Sequence, residues 1–435
     1  MSNKLPCRLL FVGAVFLGST FPFWAPRVAA SLIDQSPSSS SQRDHSPTRP
    51  DLEDVLFDFL ATDPLAVDVG ASDSEQPVVF SEYIRLHHDS SDEQNPRKSF
   101  RILQFGDSHT AGDFFTDQLR TSLQKRFGDG GIGWIQPASI SGQRTSLYSL
   151  KRSGRWTNQY QKNRSTNLSL PIGGYSALGT TGSRLSVVPK RPLPRVGKVH
   201  FSALVRSRNA SKANVSLRVG PQLKISKSVD QSWQLIAGEF GASSVGSYDF
   251  VVDRGMVEVA ALFLDSDQKG VTVEAVGRNG AELFWQEKWS TASVHALFKN
   301  RPVDLIVLAY GTNEAVDTID AKQYTTILNR QIRLFKSVLP DTPIVIVSVP
   351  SFAKYPNSSC HKPHSLMQIH AAQTSVGQKT DGVSTWSWLQ AMGGPCAVRS
   401  WANQGRMASD WIHFSSGGYR QSAILFEQWL SKQKF

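Results

Sequence analysis

Cysteine is nearly absent. The 435 residues hold three, Cys7, Cys360 and Cys396, and none belongs to a Cys-x-x-Cys pair. His361 and His364 follow Cys360, but no fourth ligand is spaced to match. A zinc site is therefore not expected, and no other metal or cofactor motif stands out. Long apolar runs are also absent. No internal stretch reaches the roughly 18 residues that a membrane span needs, so no span is expected in the mature chain. Acidic residues are outnumbered, 36 against 47 Lys and Arg, for a net charge of +11. With 40% hydrophobic and 10% aromatic residues the chain reads as globular rather than disordered.

The N-terminus has the form of a secretory leader. Lys4 and Arg8 precede an apolar stretch from Leu9 to Phe23, and Val28-Ala29-Ala30 offers small residues for cleavage. Residues 1–30 are expected to be removed, taking Cys7 with them. An uncleaved anchor is the alternative reading. Export puts Cys360 and Cys396 in an oxidising compartment, where an even pair is expected to form a disulfide. Export also makes nucleic acid a poor partner for the basic charge. An anionic cell-wall glycan or a membrane surface suits it better, and plain solubility charge is the bland reading.

Residues 31–98 begin with a Ser- and Pro-rich stretch, SLIDQSPSSSSQRDHSPTRP, expected to be a linker. A short helix over residues 51–60 follows. From Ser99 the texture is α/β. Phe100 to Phe105 is a short apolar strand. Phe115, Leu119, Leu123 and Phe127 then recur as on a helix face. The runs DLIVLAY (304–310) and PIVIVSV (343–349) read as buried parallel strands. Helices are expected over 319–338, 364–377 and 416–432. Between about 150 and 270 short apolar runs are punctuated by Gly, Asn, Asp and Ser, the pattern of an all-β sandwich. The expected organisation is a parallel sheet flanked by helices, contributed by residues 99–149 and 271–435, with the β-sandwich of residues 150–270 inserted. Trp156 and Trp233 are the sandwich's candidate stacking faces, with core packing as the competing role.

Four short blocks carry chemistry. Gly106-Asp107-Ser108-His109 closes the first strand and opens a helix, at the carboxyl edge where parallel sheets place ligands. Gly277-Arg278-Asn279-Gly280-Ala281 follows the run from Val271 to Val276, and Gly280 offers an unobstructed backbone N–H. Gly311-Thr312-Asn313-Glu314 follows the strand 304–310, and the Asn313 amide can donate to an oxyanion. Asp410-Trp411-Ile412-His413 supplies a histidine base for a serine hydroxyl and an aspartate to hold it. Singly, these blocks read as a helix cap, two turns and a structural histidine. Together they occur in one order, at strand ends of one fold, with complementary roles. Gly128-Asp129-Gly130-Gly131-Ile132-Gly133 also fits a dinucleotide-binding pattern. It follows a helix instead of a strand, so that reading fails, and a glycine loop beside the site is expected.

The four blocks resemble those of the SGNH/GDSL hydrolase superfamily, with GDSH in place of the usual GDSL. The resemblance implies Ser108 as nucleophile, His413 as base and Asp410 as its partner. It implies an oxyanion hole of the Ser108 N–H, the Gly280 N–H and the Asn313 side chain. The run GDSHTAGDFFTDQLR followed by GDGGIGW is similar to the peptidoglycan O-acetylesterases of Gram-negative bacteria. That resemblance implies a periplasmic serine esterase with a carbohydrate-binding-module-like insert. Its substrate would be peptidoglycan acetylated on the C6 hydroxyl of muramic acid. The same residues also suit a polysaccharide O-acetyltransferase or an acetylesterase for another glycan. A non-catalytic glycan-binding protein is the reading from another class.

Overall fold

The computed structural model describes residues 77–89, 99–138, 140, 142–161, 168–193, 197–209, 211–220, 223–241, 246–317, 319–353 and 364–435. The leader, the Ser/Pro-rich linker, the expected helix at 51–60 and Cys360 lie outside them.

A five-stranded parallel sheet forms the centre. Its strands in chain order are β1 (Ser99–Gly106), β2 (Gly270–Gly277), β3 (Leu305–Ala309), β4 (Ile344–Val347) and β5 (Val383–Trp386). Their spatial order is β2-β1-β3-β4-β5. Successive side chains along a strand point to opposite faces, and both faces here are apolar. Phe100, Ile102, Leu305, Val307, Val345 and Val347 pack with the helices Phe80–Asp89, Phe114–Phe127 and Ser416–Leu430. Leu103, Phe105, Ile306, Leu308, Ile344 and Ile346 pack with the helices Thr291–Asn300, Ala321–Lys336 and His364–Lys379. Two buried faces explain why these strands are continuous apolar runs with no alternation. Each fully buried side chain of this kind contributes about 1.5–3 kcal/mol relative to exposure.

Between β1 and β2 the chain builds two antiparallel sheets. One contains Lys198–Ser207, Gln234–Gly241 and Met256–Ser266; the other contains Arg184–Pro189, Ala213–Val219 and Tyr248–Arg254. Leu185, Val187, Val215, Leu217 and Phe250 of one meet Phe201, Val205, Val259 and Leu262 of the other in a single apolar core. The molecule is thus an α/β fold with a β-rich insertion.

Of the glycines expected to form a loop, Gly131 and Gly133 instead belong to a strand, Gly131–Ile135, paired with Met256–Ser266, while Gly128 and Gly130 precede it. The reason is close approach. At Gly133 (φ +71°) a Cβ would lie 2.6 Å from the Glu274 side chain. Glu274 belongs to a buried ionic cluster in which Arg301 holds both it (2.7 Å) and Asp265 (2.6 Å). Asp265 lies on the insert and Glu274 on β2, so this cluster ties the insert to the central sheet. Trp233 is buried in the packing, and Trp156 spends its Nε1 donor on the carbonyls of Ser153 and Arg184. The Trp233 ring, with Arg206 over it, is not a free stacking face, and Trp156 is half-buried. No helix of the described residues is long and apolar enough to cross a membrane.

Candidate active site

In a β2-β1-β3-β4-β5 sheet the strand order reverses between β1 and β3, and ligands collect at the carboxyl ends of that pair. Gly106 of β1 sits between Gly277 of β2 and Ala309 of β3. Three of the four sequence blocks therefore leave the sheet side by side. Backbone bonds hold them there: Arg278 N–H donates to the Gly106 carbonyl (3.1 Å) and Asp107 N–H to the Ala309 carbonyl (3.3 Å).

The fourth block arrives from the loop before the last helix. Its turn is closed by the Asp410 side chain, whose Oδ1 accepts from the backbone N–H groups of Ile412 (3.0 Å) and His413 (2.9 Å). Trp411 between them adopts a left-handed φ of +53°, which a side chain tolerates only where its surroundings impose it. The result is a three-membered relay. His413 Nε2 lies 2.8 Å from Ser108 Oγ, and His413 Nδ1 lies 2.6 Å from Asp410 Oδ2. Burial tends to raise the Asp410 pKa. The hydrogen bonds from the His413 ring and from the His413 and Ile412 backbones outweigh it, so the carboxyl lies below its ordinary value. A hydroxyl held this way can pass its proton to the imidazole, and the carboxylate can balance the resulting charge.

The other two blocks meet each other. Asn313 Nδ2 donates to the Ala281 carbonyl at 2.8 Å, one residue beyond Gly280. The second amide hydrogen of Asn313 remains for a ligand. Gly280 is exposed, with φ +71° and nothing within 4 Å of a virtual Cβ. Glycine is favoured there by backbone conformation, since space is not limiting.

His109, where the motif departs from GDSL, is buried below the relay. Its Nδ1 lies 3.0 Å from Tyr419 Oη, and its ring touches Trp388, Phe414 and His413. Burial, then the nearby His413 charge, lower its pKa to about 3. It is therefore neutral near neutral pH. Asp107 caps the short helix Ser108–Ala111 by accepting from the His109 N–H (2.9 Å). Burial raises its pKa to about 7 against the backbone hydrogen bond and the His413 charge. An acid with a raised native pKa holds its proton more tightly when folded. Its stabilising effect is full below pH ~4 and declines as pH rises toward 7, by on the order of 4 kcal/mol. Asp107→Asn keeps the capping oxygen and cannot ionise. Its melting temperature is expected to fall less than that of the wild type between about pH 4 and pH 8. Parallel scanning calorimetry curves for the two proteins would refute this account.

Beside this edge lies a cavity of about 320 Å³, lined by Thr110, Gln143, Arg144, Tyr148, Lys190 and Gly277 among others. Ser108 and His413 do not line it. Among the described residues no group of three His, Cys, Asp or Glu is placed to hold a metal ion. Cys396 is disulfide-bonded, and Cys7 and Cys360 lie outside the described residues. Sequence reasoning missed the aromatic surroundings of Arg278. Tyr160, Tyr175 and Trp285 gather around it from positions too far apart for any local pattern to reveal.

Comparison with known proteins adds two findings. Residues 130–240 match the family model described as "Peptidoglycan O-acetylesterase, N-terminal". The solved structure described as "Peptidoglycan O-acetylesterase in action, 5 min" is 30% identical with a TM-score of 0.68. The match covers 81% of this chain and 96% of that one. A family two carbohydrate esterase from Cellvibrio japonicus is 12% identical over 65% of this chain and 98% of its own, with a TM-score of 0.27. That likeness is too remote to carry an argument. No curated protein sequence matches significantly.

Proposed function

The chain belongs to the peptidoglycan O-acetylesterase family, and from that premise we propose that Ser108, His413 and Asp410 perform the deacetylation. The relay of 2.8 Å and 2.6 Å contacts is the observation that carries this assignment. The protein is a carboxylic ester hydrolase, and its substrate is O-acetylated peptidoglycan. Ser108 Oγ attacks the carbonyl of the acetyl group on the muramic acid C6 oxygen, and its proton passes to His413 Nε2. The negative charge that develops on the carbonyl oxygen is met by the N–H groups of Ser108 and Gly280 and by the Asn313 amide. His413 returns the proton to the sugar oxygen as the C–O bond breaks, leaving acetyl-Ser108. Water, deprotonated by His413, then releases acetate and restores the serine.

The test is acetate release from O-acetylated peptidoglycan, with and without an added sugar acceptor. Stoichiometric acetate supports the esterase. Acetyl recovered on the acceptor in place of acetate would make the enzyme a transferase. Asn313→Ala is expected to lower kcat by about 100- to 1,000-fold with little change in KM, because the oxygen it serves is charged only in the transition state. A change confined to KM would remove Asn313 from the oxyanion hole.

Three further assignments follow the same reading. The β-rich insertion is a carbohydrate-binding-module-like unit that holds glycan, because it contains none of the four blocks. Its excision also removes the contacts of Asp265 and Tyr175 with the central sheet. Activity should therefore fall on both substrates, but more on the polymer than on a small acetyl ester; equal loss on both, in a folded variant, would count against it. The protein is exported to the periplasm of a Gram-negative bacterium, which suits the basic charge and the leader. In that compartment Cys396 pairs with Cys360. Thiol labelling of the denatured, unreduced mature protein is expected to find no free thiol, and two reactive thiols would break the pairing.

A further inference from the structure

Arg278 stands between the end of β2 and the Asn279-Gly280 turn, and its backbone is bonded to Gly106, two residues before Ser108. Its guanidinium carbon lies 4.5 Å from the centroid of the Trp285 ring, 4.9 Å from that of Tyr160 and 5.7 Å from that of Tyr175. Trp285 comes from the catalytic unit. Tyr160 and Tyr175 come from the insert, where they face each other across adjacent strands. The Tyr175 hydroxyl donates to the Gly277 carbonyl at 2.8 Å and pins this aromatic wall to the tip of β2.

What the cluster lacks is an acceptor. Arg278 Nη1 and Trp285 Nε1 are both buried donors without a hydrogen-bond partner. No carboxylate of the described residues pairs with Arg278. The other deeply placed arginines are matched: Arg301 by Asp265 and Glu274, and Arg120 by Asp113. A cation drawn partly out of water needs a compensating charge. Three aromatic faces supply part of it. An anion arriving with a ligand would supply the rest. Guanidinium groups bind carboxylates in two-point fashion, and the low-dielectric aromatic surroundings strengthen such a pair.

We propose that Arg278, framed by Trp285, Tyr160 and Tyr175, binds a carboxylate of the glycan substrate and so selects muramic-acid-type sugars over neutral ones. The inference rests on the esterase reading above for the identity of the substrate. Muramic acid carries a lactyl carboxyl group on the same ring as the C6 acetyl ester. When that group is joined to a peptide, the nearest free carboxylates belong to the peptide. The shared requirement is a carboxylate near the acetylated ring, and the flat rings beside Arg278 offer apolar faces to the sugar itself.

The experiment uses three competitive inhibitors of small-acetyl-ester hydrolysis by the whole enzyme. N-acetylglucosamine has no carboxylate, N-acetylmuramic acid has the free lactyl group, and muramyl dipeptide has its lactyl group blocked and a carboxylate on the peptide. In the wild type at least one carboxylate sugar should bind about 10- to 100-fold better than N-acetylglucosamine, as expected for a charge-assisted hydrogen bond. Which one does so identifies the source of the carboxylate. In Arg278→Met that ratio should collapse to about 3-fold or less, and Arg278→Lys should retain part of it. Reading a ratio within each protein removes general losses of activity. Arg278→Lys keeps the net charge, so a fall of the ratio in that variant does not come from a weaker general attraction of anions to a basic protein. Equal inhibition by all three sugars in the wild type would overturn the proposal, a measurement that needs no variant to fold. So would a preference that survives in Arg278→Met. Failure of the substrate assignment looks different: acetate is not released from O-acetylated peptidoglycan, while the small ester is still cleaved and the inhibition ratios still report on Arg278.

Discussion

Ser108→Ala is expected to lower kcat/KM for ester cleavage by at least about 1,000-fold while leaving the melting temperature nearly unchanged. The size follows from the relay. His413 Nε2 has one partner positioned for proton transfer, Ser108 Oγ at 2.8 Å, and removing it leaves an oxyanion hole with no nucleophile. Members of such a unit act together, so the loss is far larger than one hydrogen bond. The stability forecast has a separate basis. Ser108 is only half-buried, and the capping of its helix is carried by the Asp107 side chain and the His109 N–H. Neither depends on the serine hydroxyl. Acetate release and a thermal melt on the same preparation check both halves. Wild-type acetate release by the variant would refute the assignment. A dead variant with a collapsed melt would assign the loss to folding and refute the claim that the hydroxyl is structurally dispensable.

The sequence made the central sheet readable because its strands are buried on both faces. DLIVLAY and PIVIVSV can hardly be anything but interior strands, and Leu305–Ala309 and Ile344–Val347 lie within them. Three of the chemical blocks were readable for a related reason: each follows such a run, and strand ends in a parallel sheet share one edge. The fourth, Asp410 to His413, was readable only from its residue types and its place before the last helix. Elements that depend on remote partners were not readable. The helix Phe80–Asp89 was not readable because Phe80 and Ile84 find their place only against Phe100 and its neighbours. Gly131–Ile135 is a strand because Met256–Ser266 pairs with it and Glu274 crowds it. Its glycines alone read as a loop. The surroundings of Arg278 draw on Tyr160, Tyr175 and Trp285, and no periodicity connects those positions. Local pattern reports burial and turns; it does not report which distant ring arrives beside a cation.

Asp410→Asn is expected to lower kcat by about 100- to 1,000-fold, with KM little changed. The substitution keeps the turn, because the side-chain oxygen can still accept from the Ile412 and His413 N–H groups. It changes what faces the imidazole. Asp410 Oδ2 accepts a proton-bearing Nδ1 at 2.6 Å, and this leaves Nε2 bare to take the proton of Ser108. An amide nitrogen in that place donates instead. It favours the tautomer with the proton on Nε2, which cannot serve as base. In a fully buried relay this error costs about 10,000-fold. The Asp410 side chain here is 47% exposed, so water can restore the productive tautomer part of the time, and a smaller loss is expected. Asp410→Ala supplies the control. It removes the acceptor without forcing the wrong tautomer, but it also releases the two backbone N–H groups that shape the turn. If tautomer control is the role of Asp410, Asn should be no more active than Ala despite preserving the turn. An Asn variant within about 3-fold of wild type would show that the turn alone matters and that His413 needs no carboxylate.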